Sequence, residues 1–412
     1  ITYPEWDNPF PYDFVGYNVG FSWDPFGTAR TAIKASFGRY AEGLPTWYYD
    51  EAHPIGAASF SFDWFDLNEN GQPDAPPIDK YVWTGGANPR QMVDIESMKL
   101  SIDPNVKIPF NYEFHTSIEH ELFRDFKLSI GYIYRTRKNL ISDPYYDVET
   151  GTYWSDADSG YWVPFQTTIP AYGDFPATDV TMYFMKADHP DIFNRVTNVK
   201  GAKVKYEAIE LAFDKRMSHG WQLGGSLVLS RNKGNFRISG GWVYGQFNNP
   251  NQLVNAYGDQ PYSRPVVVKL YGSYILPYRF IISFFYVHSS GSPWNRTVRV
   301  VPPADWAAEH GTNTWSYTIN VEPPGSHRTQ PQDNVDLRLE KEFTLGNYGT
   351  LGVFVDIFNV FGYTRWNIQM NPGGTWRPDN EKSTSGTFIP GWTGLTGSSG
   401  TRVIKVSVRF SF

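Results

Sequence analysis

Asp66, Asn68, Asn70 and Asp74 carry the sharpest chemical pattern in the chain, within the run Asp66-Leu67-Asn68-Glu69-Asn70-Gly71-Gln72-Pro73-Asp74. Oxygen-bearing side chains at alternate positions, then a glycine for a sharp turn and a further Asp, follow the first nine positions of a calcium loop of the EF-hand type. Alternate spacing lets Asp66, Asn68 and Asn70 turn their oxygens onto one hard cation. The twelfth position, where a bidentate Glu belongs, is Pro77, and Asp79 stands close enough to substitute. The pattern predicts a weak Ca2+ site in a loop, weak because the ligand charge is low; the competing reading is a solvated Asn/Gly turn. A second acidic cluster, Asp156-Ala157-Asp158-Ser159-Gly160, reads as a plain turn.

Catalytic arrangements do not stand out, and no enzyme is expected. The eight His are scattered without HExxH or paired spacing, and the absence of cysteine removes disulfides, thiolate metal sites and thiol catalysis together. Glu113, His115, Glu119 and Glu121 share one strand face and look like acid/base pairs, but the polar wall of a barrel lumen yields the same pattern. Loop aromatics such as Trp47, Tyr48 and Tyr49, or Trp154, Tyr161 and Trp162, could stack on sugars or peptides; packing loop against loop is their expected use. A net charge of −6 gives no reason to expect nucleic acid as a partner.

The elements that would position these loops are strands. In the last ten residues Ile404, Val406, Val408, Phe410 and Phe412 line one face, and Val403, Lys405, Ser407, Arg409 and Ser411 the other. A side-chain period of two is a β-strand, and one this apolar on one face would invite aggregation in water. It suits a wall between lipid and a wet lumen. The same alternation recurs in hairpins with short turns at Pro25–Thr28, Phe123–Phe126, Met217–Gly220, Leu276–Arg279 and Thr344–Asn347, giving about eleven strands of roughly ten residues, the length a tilted strand needs to cross a bilayer. Connections at the other end are long: Ala41–Phe110, Lys138–Ala202, Lys233–Arg264, Ser290–Pro331 and Gly362–Gly400. Short periplasmic turns and long extracellular loops are the asymmetry of outer-membrane barrels. Val180–Met185 and Thr297–Val301 read as extra strands in the loops or as extensions of the wall.

Composition agrees. Aromatics make up 17% of 412 residues, yet the mean hydropathy is −0.44, as expected of an apolar band flanked by Tyr and Trp girdles with wet loops and lumen. A carbohydrate-binding β-protein would share that composition. The most apolar stretch, Val266 to Val287, is interrupted by Lys269, Pro277 and Arg279, so no helical span is expected. A propeller or solenoid would need a repeat period, and the spacing of the hairpins is too uneven.

Several phrases resemble the TonB-dependent receptors of the Oar-like group. They are Tyr206–Asn235, Asp259–Pro277, Glu322–Phe343, Gly352–Gly362 (GVFVDIFNVFG) and Gly16–Gly43, in the family's order and with the Phe412 ending. The resemblance implies an outer-membrane β-barrel with a plug domain and an extracellular ligand surface, driven by the TonB–ExbB–ExbD complex. It also implies peptides or protein fragments as ligands. The chain departs from the pattern in showing neither a plug-like segment nor a TonB box.

The expected fold is therefore all-β: a transmembrane antiparallel β-barrel over residues 1–412, the C-terminal half of a 22-stranded barrel. Lipid is expected on its outer face, and the remaining strands, the plug and the TonB–ExbB–ExbD contact are expected to come from a missing N-terminal region. Its expected function is TonB-dependent uptake; the alternative is a structural barrel serving as anchor or scaffold in a larger surface assembly.

Overall fold

The computed structural model describes residues 13–43, 60–74, 76–86, 102–189, 193–237, 247–363, 365–369, 373–391 and 394–412. Eleven long strands form one antiparallel sheet in strict sequence order: β1 (Tyr17–Trp23), β2 (Thr31–Ala41), β3 (Phe110–Phe123), β4 (Phe126–Lys138), β5 (Val204–Ser218), β6 (Trp221–Gly234), β7 (Val266–Leu276), β8 (Phe280–Ser289), β9 (Gln332–Thr344), β10 (Thr350–Phe358) and β11 (Val403–Ser411). This is the up-and-down order that hairpin repetition predicts. The register is continuous over long stretches: β5 runs beside β6 from Val204–Gly234 to Lys215–Leu223, with one irregularity before the turn.

Five turns at one end are short. Between β5 and β6 the turn is His219-Gly220, both at positive φ (54° and 80°), with Ser218 opposite Trp221. That is the two-residue geometry whose twist matches the flanking strands, and glycine takes its second position without a Cβ penalty.

The alternating pattern resolves into two faces. Ile118, Ile130, Leu229, Ile282, Leu339, Val406 and Val408 all lie on the outward face and are between 43% and 67% exposed. In water such a surface would far exceed the apolar patch a soluble protein tolerates; against lipid tails it carries no such cost. On the inward face Glu113 pairs with Arg135 at 2.6 Å, Glu119 with Lys34 at 2.7 Å and Lys127 at 3.5 Å, and Asp356 with Arg338 at 2.6 Å. Glu113 and Glu119 of the acid/base-like row on β3 are thus held in cross-strand ion pairs.

Among the described residues β1 is paired only with β2, and β11 only with β10. Nearly every residue of these two strands is exposed on both faces.

Helix is scarce: among the described residues the one α-helix is Ala304–Glu309, and no helix is long and apolar enough to cross a membrane.

Candidate functional site

The predicted calcium loop bridges the strands Phe60–Phe65 and Lys80–Gly86, which pair antiparallel within the long β2–β3 connection. The structure brings Asp66, Asn68, Asn70 and Asp74 together. Asp66 accepts the backbone N–H groups of Asn70 (3.2 Å) and Gly71 (2.7 Å), and Asp74 Oδ2 accepts the carboxamide N–H groups of Asn68 (2.7 Å) and Asn70 (2.6 Å). Asp79 closes the loop from behind, accepting from Trp64 Nε1 (2.7 Å), the Asp74 N–H (2.8 Å) and the Leu67 N–H (3.2 Å). The Asp74 N–H, with the Trp64 indole and the Leu67 N–H, holds the Asp79 carboxyl below its ordinary range. Asp79 therefore ties the two ends of the loop together. Only Asp66 and Asp74 present carboxylates to the ring. No group of three or more His, Asp or Glu stands together as a metal site among the described residues. A cation would be held by two carboxylates and two carboxamides turned over to present oxygen, a donor set suited to weak binding of Ca2+.

Asp156–Gly160 is a turn: a 3-10 segment, Ala157–Ser159, ended by Gly160 at φ 89°. Trp47, Tyr48 and Tyr49 lie outside the described residues. The other loop aromatics pack against each other, as expected. Trp154 is fully buried and stacks on Tyr161 at 4.3 Å between centroids, and its carbonyl accepts Trp162 Nε1 at 2.7 Å.

Four long connections build a packed cap at the loop end. Trp162–Ile169 pairs with Thr178–Met185 as a hairpin in the β4–β5 connection. Thr297–Val300 and Tyr317–Asn320, from the β8–β9 connection, join Gly374–Pro378 and Gly386–Pro390, from the β10–β11 connection, in a four-stranded sheet. The extra strands expected near 180 and 297 thus form sheets of their own and do not extend the wall. Between them Phe165, Met182, Phe184, Val298, Trp306 and Trp376 are all at most 6% exposed and share one core. Trp376 Nε1 donates to Thr167 Oγ1 at 2.9 Å across 209 residues of sequence.

Two buried polar side chains lock the cap, and neither was visible as a site in the sequence. Asn251, in the β6–β7 connection, accepts the Tyr183 N–H at 2.8 Å and donates to the Tyr183 carbonyl at 2.7 Å, imitating a strand neighbour. Arg296 is 1% exposed. It donates to the carbonyls of Pro170 (2.8 Å) and Pro176 (3.4 Å), while its own N–H donates to Glu322 Oε1 (2.9 Å). Buried backbone carbonyls of a turn that lack strand partners are satisfied in this way.

On the inward face, near the loop ends of β4, β5 and β6, a cavity of about 290 Å³ is lined by Arg135, Arg137, Tyr206, Asn232, Gln260 and Tyr262. Each guanidinium already holds a carboxylate, Arg137 to Glu42 at 2.7 Å and Arg135 to Glu113 at 2.6 Å. Burial pushes the Glu42 carboxyl up, against the pull of Arg137. With its cations neutralised, the cavity offers hydrogen-bond donors, acceptors and two phenol rings rather than a strong positive field.

Residues 18–283 match the outer membrane beta barrel domain family. No curated protein is significantly similar in sequence. Among solved structures the chain resembles the outer membrane transporter YddB from Escherichia coli (14% identity, 94% of this chain and 39% of that one, TM-score 0.45). It also resembles the FrpB iron transporter from Neisseria meningitidis (9%, 95% and 38%, 0.43) and the ferric enterobactin receptor PfeA from Pseudomonas aeruginosa (10%, 95% and 39%, 0.45). The chain spans about two fifths of the length of these proteins. With well over half of its residues matching the family, and a sheet that is apolar outside and charged inside, the chain belongs to the outer-membrane β-barrel domain family and resides in the bacterial outer membrane.

Proposed function

We propose that this chain forms part of the wall and extracellular cap of a ligand-uptake barrel of the TonB-dependent kind, with the long connections facing outside. The observation that carries the reading is the pairing of two features: long connections with a packed core of their own, and an inward cavity of hydrogen-bonding side chains near the loop ends of β4, β5 and β6. Further strands would pair with the free edges of β1 and β11, because backbone groups facing lipid must find partners. The resemblance to Oar-like receptors names peptides or protein fragments as ligands. The cavity chemistry is compatible, since carboxamides, phenols and neutralised guanidiniums suit amide backbones better than polyanions. In the same reading the loop at Asp66, Asn68, Asn70 and Asp74 takes Ca2+ weakly.

The test compares cells carrying and lacking the full gene for uptake of a fluorescent peptide mixture, with and without a protonophore. The gene should raise uptake, and collapse of the proton gradient should abolish the gain. Equal uptake in both strains, with surface proteins lost from the deletion strain, would replace transport with the anchor or scaffold role.

A further inference from the structure

We infer that the inward cavity beside Arg137 captures the C-terminal carboxylate of a peptide, and that Glu42 holds that carboxylate's place until the ligand displaces it. The inference rests on the uptake reading and deepens it, by naming which end of the ligand this cavity takes.

The two guanidiniums of the cavity are held in different ways. Glu113 stands directly opposite Arg135 on the neighbouring strand, and its carboxylate accepts from Arg135 Nε at 2.7 Å. That is an ordinary wall pair, with the Arg135 side chain 47% and the Glu113 side chain 31% exposed. Arg137 faces Asn111 on β3 and Val204 on β5, neither of them a carboxylate. Its counter-ion among the described residues comes from one strand further away. Tyr40 shares the row of Asn111 and Arg137, and Glu42 follows Tyr40 by two residues, just past the end of β2. The Glu42 N–H donates to the Pro109 carbonyl at 2.8 Å, so the ladder and its alternation still hold there.

The Arg137–Glu42 pair is drier than the wall pair and less well made. Arg137 Nε lies 2.7 Å from Glu42 Oε1, with the two side chains 25% and 19% exposed. Yet Glu42 Oε1 is buried without a properly angled hydrogen bond. Burial pushes the Glu42 carboxyl up, against the pull of Arg137, the Asn111 side chain and Arg135. A desolvated pair with imperfect geometry contributes little stability, whereas removing one partner strands the other charge. Such a pair is suited to exchange. An incoming carboxylate with better-aligned oxygens replaces Glu42 on Arg137 and leaves the guanidinium neutralised as before. Phosphate would bring surplus negative charge to the one exchangeable cation.

The rest of the cavity fits the end of a peptide. Arg137 lines it from β4 and Asn232 from β6, with Tyr206 of β5 between them. From β4 to β6 is about 10 Å at ~4.8 Å per strand, the reach of about three extended residues. A carboxylate at Arg137 therefore sets the preceding peptide groups beside Tyr206 and the Asn232 carboxamide. At about 290 Å³ the cavity lies at the small end for ligand sites, which suits a chain end rather than the middle of a long chain.

The test follows the fluorescence polarisation of N-terminally labelled peptides added to the full-length protein in detergent. Its arms are trialanine as the free acid, trialanine as the C-terminal amide, and amidated Ala-Glu-Ala. The free acid should bind, and both amides should bind about 10- to 100-fold more weakly, because a charge-assisted hydrogen bond to the chain end is lost. Arg137→Gln should weaken binding of the acid by the same factor. Glu42→Gln should tighten it about tenfold, since Arg137 is then stranded until a ligand carboxylate arrives. The double variant should bind as weakly as Arg137→Gln alone, because the gain runs through Arg137. Lys269→Gln, inward in the row of Ser129 and far from Arg137 along β4, should match the parent. β-sheet circular dichroism establishes that each variant folds. Equal binding of acid and amide would overturn the inference, as would unchanged or weaker binding in Glu42→Gln. Amidated Ala-Glu-Ala binding as tightly as the acid would overturn the assignment to a chain end. Binding needs no transport, so the two readings fail separately. Gene-dependent peptide uptake without preference for the acid removes only the carboxylate site; preference for the acid without gene-dependent uptake removes only transport.

Discussion

Trp376→Ala should open the cap and leave the wall standing. Trp376 is 2% exposed and shares a core with residues of two other connections. Burying a tryptophan removes up to about 250 Å² from water, worth at most about 6 kcal/mol at ~25 cal/mol per Å². Residual burial in the opened state lowers that figure, and Trp→Ala changes in cores cost about 3–5 kcal/mol. Thr167, 3% exposed, also loses its hydrogen-bond partner, adding about 1 kcal/mol. A net loss of roughly 4 kcal/mol raises the opened population about 10³-fold. Hydrogen exchange of the full-length protein in nanodiscs reads this directly. Amides of Trp162–Ile169 and Thr178–Met185 should lose protection by that factor, while amides of β5 and β6 keep theirs. Trp376→Phe, which retains most of the apolar volume, should cost only about 1–2 kcal/mol. Unchanged cap amides, or equal loss in β5 and β6, would refute the view that the cap is a separate cooperative unit.

Single cysteines at Asp158 and Asn347 should report orientation: the first reacts with an impermeant maleimide on intact cells, the second only after the membrane is opened, and the reverse pattern inverts the topology. Radioactive calcium binding to the full-length protein should show a weak site, with Kd of about 10⁻⁴–10⁻³ M, lost in Asp74→Asn; equal binding by both proteins would leave only the turn. Asp79, held below its ordinary range by the Asp74 N–H, Trp64 and Leu67, stabilises its loop above the unfolded carboxyl value of about 3.9. That contribution disappears as the pH falls through the lower folded value, so acid should release exchange protection at residues 66–74 in the parent but not add to the loss already present in Asp79→Asn. Arg296→Ala should cost the cap about 2–3 kcal/mol by stranding the Pro170 and Pro176 carbonyls, read as faster exchange in residues 171–178; an unchanged rate would mean that solvent satisfies those carbonyls.

The wall was legible in the residues because its environment acts on them one at a time. Lipid on one side and water on the other select each side chain by type, and a period of two records that selection along Ile118, Leu229 or Val406 without reference to any partner. The five short turns and the terminal strand could be read for the same reason. The hydrogen-bonded cluster of Asp66, Asn68, Asn70 and Asp74 could also be read, because its members are neighbours in sequence. Asp79 was placed near the loop, but that it faces Trp64 and the loop's own N–H groups is decided by the pairing of two strands.

Tertiary structure alone decided the cap. Trp376 meets Thr167, Arg296 reaches Pro170 and Asn251 pairs with Tyr183 across 209, 126 and 68 residues. Such contacts leave no periodic trace, because each partner sits on a different connection and the wall hairpins between them bring the ends together. The outward cations show the same division. Lys205 and Lys233 are ordinary surface lysines in sequence, and only the register that sets Lys205 opposite Lys233 makes them neighbours. Alternation fixes which side of the wall a residue faces, but which residues become neighbours depends on hydrogen-bond register between strands distant in sequence.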